Sequence, residues 1–243
     1  GARVAVAGVH GTWAEFFIAQ AAGVVPLPAE IPDPLAAQLI AMPFSAITLL
    51  EFLKAKPGDW MIQTAANGAV GRIVAALAAE RGIRLLNLVR RDEAADELTR
   101  LGIANVLSTA DPGWKAKARA LIGEAGAVSA IDSVGGAFAL DLADLLGRDG
   151  ELIAFGTAAG APLQISSQAL ITRHLTVRGF WAARIFAEMS RETQARLLGE
   201  LVGLAAKGRL ALETGGSYPL DQIAAAMTAA MKPGRRGKVM LRP

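Results

Sequence analysis

The chain has 243 residues, 53% of them hydrophobic and 19% charged, with 26 glycines and no cysteine. That length allows one large domain or two small ones around a core that needs no staples, and the composition excludes disorder and fibrous repeats. Without cysteine there is no disulfide framework, no thiolate nucleophile and no cysteine zinc site, and two histidines, His10 and His174, give no basis for a metal centre.

Twenty-five basic side chains against 22 acidic ones give a net charge of +3. The basic residues are scattered apart from Arg90-Arg91 and Arg235-Arg236-Lys238. A nucleic-acid partner would ask for a concentrated basic face with interleaved aromatics, yet aromatics are only 5% of the chain. The longest apolar runs break well before the ~20 residues that a bilayer requires, and no signal peptide opens the chain. The expectation is a cytoplasmic protein with neither a membrane nor a nucleic-acid partner.

In chain order, the first residues, RVAVAGVHGTWAEFFIA, alternate in the manner of a strand, although the chain opens at Gly1 without a methionine. This start in mid-architecture predicts an upstream segment or an unusual truncation. Residues 1–40 continue strand-like and rich in proline. From Pro57 a regular alternation sets in. Asp59–Thr64 reads as a strand, followed by a glycine loop and a helix to about Arg81, whose Val70, Ile73, Val74 and Leu77 share one face. Further strands are predicted at Arg84–Val89, Asn105–Ser108, Ala127–Ser133, Gly150–Phe155 and Leu175–Phe180. Helices are predicted around Glu93–Leu101, Trp114–Gly123, Phe138–Leu146 and Ser190–Ala206. Short apolar strands alternating with helices imply an α/β fold with a doubly wound, six-stranded parallel Rossmann sheet. A strand near Glu213–Tyr218, a helix at Leu220–Met231 and a strand at Lys238–Arg242 close the chain. Residues 1–40 and 211–243 are thus expected to form a second domain around a nucleotide-binding domain of residues 41–210.

The clearest site signal is the loop Ala65-Ala66-Asn67-Gly68-Ala69-Val70-Gly71 at a strand-to-helix junction. Gly68 would let the backbone approach a pyrophosphate, and Gly71 would let the helix pack close to the strand. The phosphates would lie on the helix N-terminus, where free N–H groups and the dipole favour anions. The alternative is a plain tight turn. At the tip of the second strand stand Arg90, Arg91 and Asp92. An NAD site asks for an acid there and a 2′-phosphate for an arginine, so Arg90 favours NADPH. The competing reading makes the arginines a solvated strand end and Asp92 a helix N-cap. Asp132-Ser133-Val134-Gly135-Gly136 and Phe155-Gly156-Thr157-Ala158 end the fourth and fifth strands, at the edge where open sheets bind ligands; for Asp132 and Ser133, connection geometry alone is an equal reading. Phe180-Trp181 could wall a nicotinamide or an acyl chain, although adjacent large aromatics more often belong to a core. No nucleophile elbow, catalytic triad or carboxylate pair stands out, and hydride transfer needs none of them.

These residues bring a resemblance into view. GTWAEFF, KPGDWMIQTAANGAVG, LVRRDE, IDSVGG, LTVRGFW, YPLDQIAAAM and GKVMLRP occur in the order seen in the medium-chain dehydrogenase/reductases. AAN, VRRD and LTVRGFW resemble more narrowly the zinc-free, mitochondrial-type 2-enoyl thioester reductases, and the NADPH:quinone oxidoreductases are the next match. The resemblance implies that both ends of the chain are remnants of a β-rich, GroES-like catalytic domain whose beginning lies roughly 80–90 residues upstream. It implies NADPH as cofactor, with Asn67, Gly68, Ala69 and Val70 at the pyrophosphate and Arg90, Arg91 and Asp92 at the 2′-phosphate. Phe155, Gly156, Thr157 and Ala158 would line the nicotinamide side. Phe180, Trp181 and Ala182 would close over it, and Lys238 would reach in from the last strand.

Pro43-Phe44-Ser45-Ala46 resembles the family's N-P-x-T-A segment, with Met42 in place of its Asn and Ser45 in place of its Thr. Ser45 is a candidate hydrogen-bond donor near the nicotinamide. The tyrosine thought to donate the proton in these reductases has no counterpart here, because the single tyrosine, Tyr218, matches a structural position. The implied reaction is hydride transfer to the β-carbon of a 2-enoyl thioester, on CoA or an acyl carrier protein. Quinone reduction and non-catalytic NADPH binding are the alternatives, and the implied assembly is a homodimer joined through the sixth strand.

Overall fold

The computed structural model describes residues 1–6, 8–210, 212–232 and 237–243. Arg235 and Arg236, two of the clustered basic residues, lie outside the described residues. Contacts group the chain into two compact units, residues 1–44 with 190–243, and residues 45–189. Residues 190–210 therefore belong with the chain ends rather than with the sheet.

The chain opens with β1 (Val4–Val6), which pairs antiparallel with β2 (Val24–Pro26), Val4 facing Pro26. The Arg3 guanidinium donates to the carbonyls of Pro28 and Ile31, both at 2.7 Å, and meets Asp33 at the start of α1 (Asp33–Ala36). Among the described residues, the strand expected across the opening segment is present only as β1. Gly8 and Gly11 take positive φ values of 69° and 74° and turn the backbone away. Alternation makes a strand only where a partner satisfies the N–H and C=O groups. Trp13, Phe16 and Ile18 are exposed.

Next comes α2 (Met42–Leu53), which the sequence reading did not anticipate. The unit of residues 45–189 then alternates strictly. Its elements are β3 (Trp60–Gln63), α3 (Ala69–Glu80), β4 (Arg84–Val89), α4 (Asp92–Arg100), β5 (Val106–Ser108) and α5 (Trp114–Ile122). They continue with β6 (Ala127–Asp132), α6 (Phe138–Leu145), β7 (Leu146–Ala154), α7 (Ser167–Arg173), β8 (Thr176–Gly179) and α8 (Ala182–Glu188). The six strands form one sheet in the order β5-β4-β3-β6-β7-β8, with every neighbouring pair parallel. All six strands read from the sequence are present, in the doubly wound order. β7 starts earlier than expected, because Leu146 already pairs with Ala127 before a register shift. Trp60, Ile62, Leu86, Leu88, Ala130, Leu142 and Leu152 build the core between sheet and helices. On α3, Ile73, Val74 and Leu77 are buried as their spacing predicts, while Val70, in the first turn, is half-buried.

The chain ends with α9 (Arg191–Ala206), β9 (Thr214–Pro219), α10 (Ile223–Met231) and β10 (Lys238–Arg242). Ser190 caps α9, its hydroxyl accepting the Thr193 N–H at 3.2 Å. β9 and β10 pair in parallel, and the Tyr218 ring lies over Gly216, where a Cβ would come within 3.0 Å of it. No helix among the described residues is long and apolar enough to cross a membrane.

Candidate dinucleotide site

In the strand order, β3 has β4 on one side and β6 on the other, so the order of winding reverses between β3 and β6. In such sheets a crevice opens beyond the carboxyl ends of those strands. The loops after β3, β4, β6 and β7 end there, and those after β3, β6 and β7 are held by specific hydrogen bonds.

The β3–α3 loop begins at Thr64, whose N–H donates to the Ile131 carbonyl at 3.0 Å and whose hydroxyl accepts the Ser133 N–H at 2.7 Å. Ala65 follows with a φ of 52°, which is costly for a residue with a side chain. The Gly68 N–H donates to the Ala65 carbonyl at 2.9 Å, and Gly68 is the N-cap of α3. A Cβ on Gly71 would stand 2.7 Å from the Ala66 carbonyl oxygen, so only glycine lets the helix approach this closely. The N–H groups of Ala69, Val70 and Gly71 have no hydrogen-bond partner among the described residues. They form the open donor set of a helix N-terminus. Beneath the loop, buried Gln63 donates to the Gly71 carbonyl at 2.8 Å and to Asn87 Oδ1 at 2.6 Å.

At the tip of β4, Arg90, Arg91 and Asp92 are exposed. The N-cap of α4 is Arg91, without a side-chain cap, and Asp92 is the first helical residue, which corrects the N-cap reading of Asp92. No hydrogen bond or ion pair holds the guanidinium of Arg90 or Arg91 among the described residues. Charges that a structural role would pair are here left free at the ligand edge.

Asp132 at the end of β6 is fully buried. Its Oδ1 accepts the N–H groups of Val134 at 2.8 Å and Gly135 at 3.0 Å, and its Oδ2 has no partner. It fixes a turn in which Gly135 and Gly136 both take positive φ. Sequence reasoning weighed Asp132 evenly against connection geometry; the structure gives it a loop-organising role. The β7 loop docks on the same turn. Phe155 and Gly156 donate to the Asp132 carbonyl at 2.8 and 3.1 Å, and Ala158 donates to that of Ser133 at 3.2 Å. A Cβ on Gly156 would meet the Ser133 oxygen at 2.7 Å. Thr157 and Ala158 are exposed at its tip.

The aromatic pair after β8 divides its roles. Phe180 is buried, its ring centroid 5.5 Å from Phe52 and 5.8 Å from Phe155, as a core reading predicts. Trp181 is 71% exposed and walls a cavity of about 430 Å³ with Phe180 itself, Ala154, Gly179, Arg184, Ile185 and Glu188. Ala182 opens α8. Ser45, half-buried, lies in the first turn of α2. Lys238 is an exposed residue that opens β10 opposite Thr214.

The family of zinc-binding dehydrogenases matches the chain over residues 69–198, more than half its length. The chain belongs to this family. As a zinc-binding dehydrogenase relative, it falls among the medium-chain dehydrogenase/reductases, although it has no cysteine and no group of three or more His, Asp or Glu side chains able to hold a metal among the described residues. Of the curated proteins, human mitochondrial enoyl-[acyl-carrier-protein] reductase is 29% identical over 236 residues, covering 95% of this chain and 63% of the human protein. The chain thus spans less than two thirds of that relative's length. A Bacillus thuringiensis structure assigned as an NADPH:quinone reductase superposes with a TM-score of 0.80 at 27% identity, over 91% of this chain and 67% of that one. The Escherichia coli quinone oxidoreductase complexed with NADPH shares the fold, with a TM-score of 0.76 at 24% identity over 92% and 69% of the two chains.

Proposed function

We propose that residues 45–189 bind NADPH and that the chain is part of a reductase acting on a 2-enoyl thioester, carried on CoA or an acyl carrier protein. One observation carries the cofactor assignment. The free N–H groups of Ala69, Val70 and Gly71 open a helix that only glycine at position 71 lets pack this close to the Ala65–Ala66 backbone, and the next strand ends in two unpaired arginines. That donor set fits a pyrophosphate and a 2′-phosphate. Asn67, Gly68, Ala69, Val70 and Gly71 hold the first, and Arg90, Arg91 and Asp92 border the second. Phe155, Gly156, Thr157 and Ala158 line the nicotinamide side, while Phe180, Trp181 and Ala182 close over the nicotinamide and the acyl pocket.

When bound, reduced nicotinamide supplies the hydride that reaches the thioester β-carbon. The protein's part is to orient both partners and to exclude water. Ser45 is the hydrogen-bond donor this chain offers on the nicotinamide side. None of the 243 residues matches the family's tyrosine proton donor, so within this chain the proton for the α-carbon comes from water or from a residue such as Ser45. β1–β2 and β9–β10 are remnants of a GroES-like domain in this reading. β8, an edge strand with exposed Val177, joins two copies into a homodimer.

The enoyl reductase reading is supported by the human relative. Quinone reduction is the second reading, favoured by the 27% identity to the Bacillus structure. The test is NADPH consumption by this chain with crotonyl-CoA against a small benzoquinone. Crotonyl-CoA turnover supports the first reading, quinone turnover alone supports the second, and NADPH binding without either makes the chain a cofactor-holding part.

A further inference from the structure

Arg72, in the first turn of α3, belongs to no part of the fingerprint that marks the loop. Its side chain nevertheless spans two elements of the site. The guanidinium Nε donates to the Asn67 carbonyl at 3.1 Å, and an Nη donates to the Glu97 carboxylate of α4 at 2.9 Å. Both side chains are largely screened from water, at 22% exposure each. The backbone N–H of the same residue donates to the Gly68 carbonyl at 3.1 Å.

The consequence lies in the peptide between Asn67 and Gly68. Its carbonyl is held by the Arg72 guanidinium, and its N–H is held by the Ala65 carbonyl at 2.9 Å. A planar peptide fixed at both ends cannot rotate. The next carbonyl, that of Gly68, is held by the Arg72 N–H. Two successive carbonyls are therefore turned toward Arg72, away from the open donors of Ala69, Val70 and Gly71. A carbonyl that rotated the other way would put a negative dipole against an incoming phosphate. Glu97 in turn holds the guanidinium in place, a charge-assisted contact in a partly dry setting. Glu97 stands on the helix that begins at the free arginines of β4.

We infer that Arg72, held by Glu97, is a positioning residue that orients the Asn67–Gly68 peptide so that the α3 N-terminus can take a pyrophosphate. This rests on the NADPH reading above, but it assigns Arg72 to the pyrophosphate end alone. NADPH and NADH share that end; adenosine 2′-monophosphate lacks it.

The test compares those three ligands on the 243-residue chain and its variants Arg72→Gln, Arg72→Lys and Glu97→Gln, by calorimetric titration with NMR line broadening for the weaker ligands. Arg72→Gln and Glu97→Gln should weaken NADPH and NADH by the same factor, about tenfold, and leave adenosine 2′-monophosphate within about twofold. Arg72→Lys keeps the charge but reaches one partner, so it should fall between wild type and Arg72→Gln. Unchanged NADPH affinity in Arg72→Gln overturns the inference. So does an equal loss for all three ligands that follows a fall in melting temperature, since that marks a structural role. Glu97→Gln keeps the test open if Arg72→Gln fails to fold, because it leaves the Asn67 contact intact. A wild-type chain that binds neither dinucleotide overturns the NADPH reading itself, and the role of Arg72 with it.

Discussion

Gly71 approaches Ala66 so closely that a Cβ on the glycine would lie 2.7 Å from the alanine carbonyl oxygen and 2.8 Å from its Cα. Both obstacles are backbone, in a loop that is hydrogen-bonded to β4 through the Ala66 N–H and the Leu88 carbonyl at 3.1 Å. Neither can move without dragging the loop or tilting α3. Gly71→Ala should therefore cost about 1–3 kcal/mol of stability, read by urea unfolding. Its loss of NADPH affinity should exceed that of Gly199→Ala, because the Cβ of the latter meets nothing within 4 Å.

Arg90 and Arg91 have the opposite character, exposed and unpaired in the free protein. Replacing either with alanine should leave the unfolding midpoint unchanged, since surface substitutions away from special features cost within about 0.5 kcal/mol. Arg90→Ala should weaken NADPH by about tenfold or more, as expected for losing a charge-assisted phosphate contact, and leave NADH untouched. Parallel titrations of the two cofactors check this. An equal loss for both would remove the 2′-phosphate assignment.

Asp132 should be the most stability-sensitive polar residue of the site. Alanine there strands the Val134 and Gly135 N–H groups below the surface, a cost of about 2–5 kcal/mol. Asparagine keeps one carbonyl acceptor and should cost less. Chemical denaturation of both variants, set against wild type, measures the difference, and equal stability for all three would contradict the organising role.

Phe180 and Trp181 are neighbours in sequence with separate fates. Phe180→Ala opens the cluster with Phe52 and Phe155 and should cost about 3–5 kcal/mol. Trp181→Ala should shift the unfolding midpoint by no more than about 0.5 kcal/mol but should raise the KM for a 2-enoyl-CoA. Thermal melts and steady-state kinetics separate the two effects.

The central sheet was legible because parallel strands buried on both faces read as apolar runs such as RLLNLV, and because Gly82 and Gly102, both at positive φ, close the helices α3 and α4 that precede β4 and β5. The glycine loop and the arginines at the tip of β4 were legible because close approach and free charge are residue-type requirements. α2 was not: MPFSAITLLEFL is almost uniformly apolar, and Ala46, Ile47, Leu49 and Leu50 are all buried, so no helical period separates it from a buried strand. α7 carried a signal that could have been read, the N-cap Ser166, whose hydroxyl accepts the Ala169 N–H at 3.3 Å. The Arg72–Glu97 contact lies 25 residues apart in sequence and depends on how α3 and α4 pack, which no local pattern states.

Whether this chain holds NADPH by its pyrophosphate and 2′-phosphate together is measured most directly by a calorimetric titration of the 243-residue chain with NADPH and, separately, NADH. The expected result is saturable binding of one NADPH per chain, tighter than NADH by about tenfold or more. Equal affinities, or no binding of either, would contradict it.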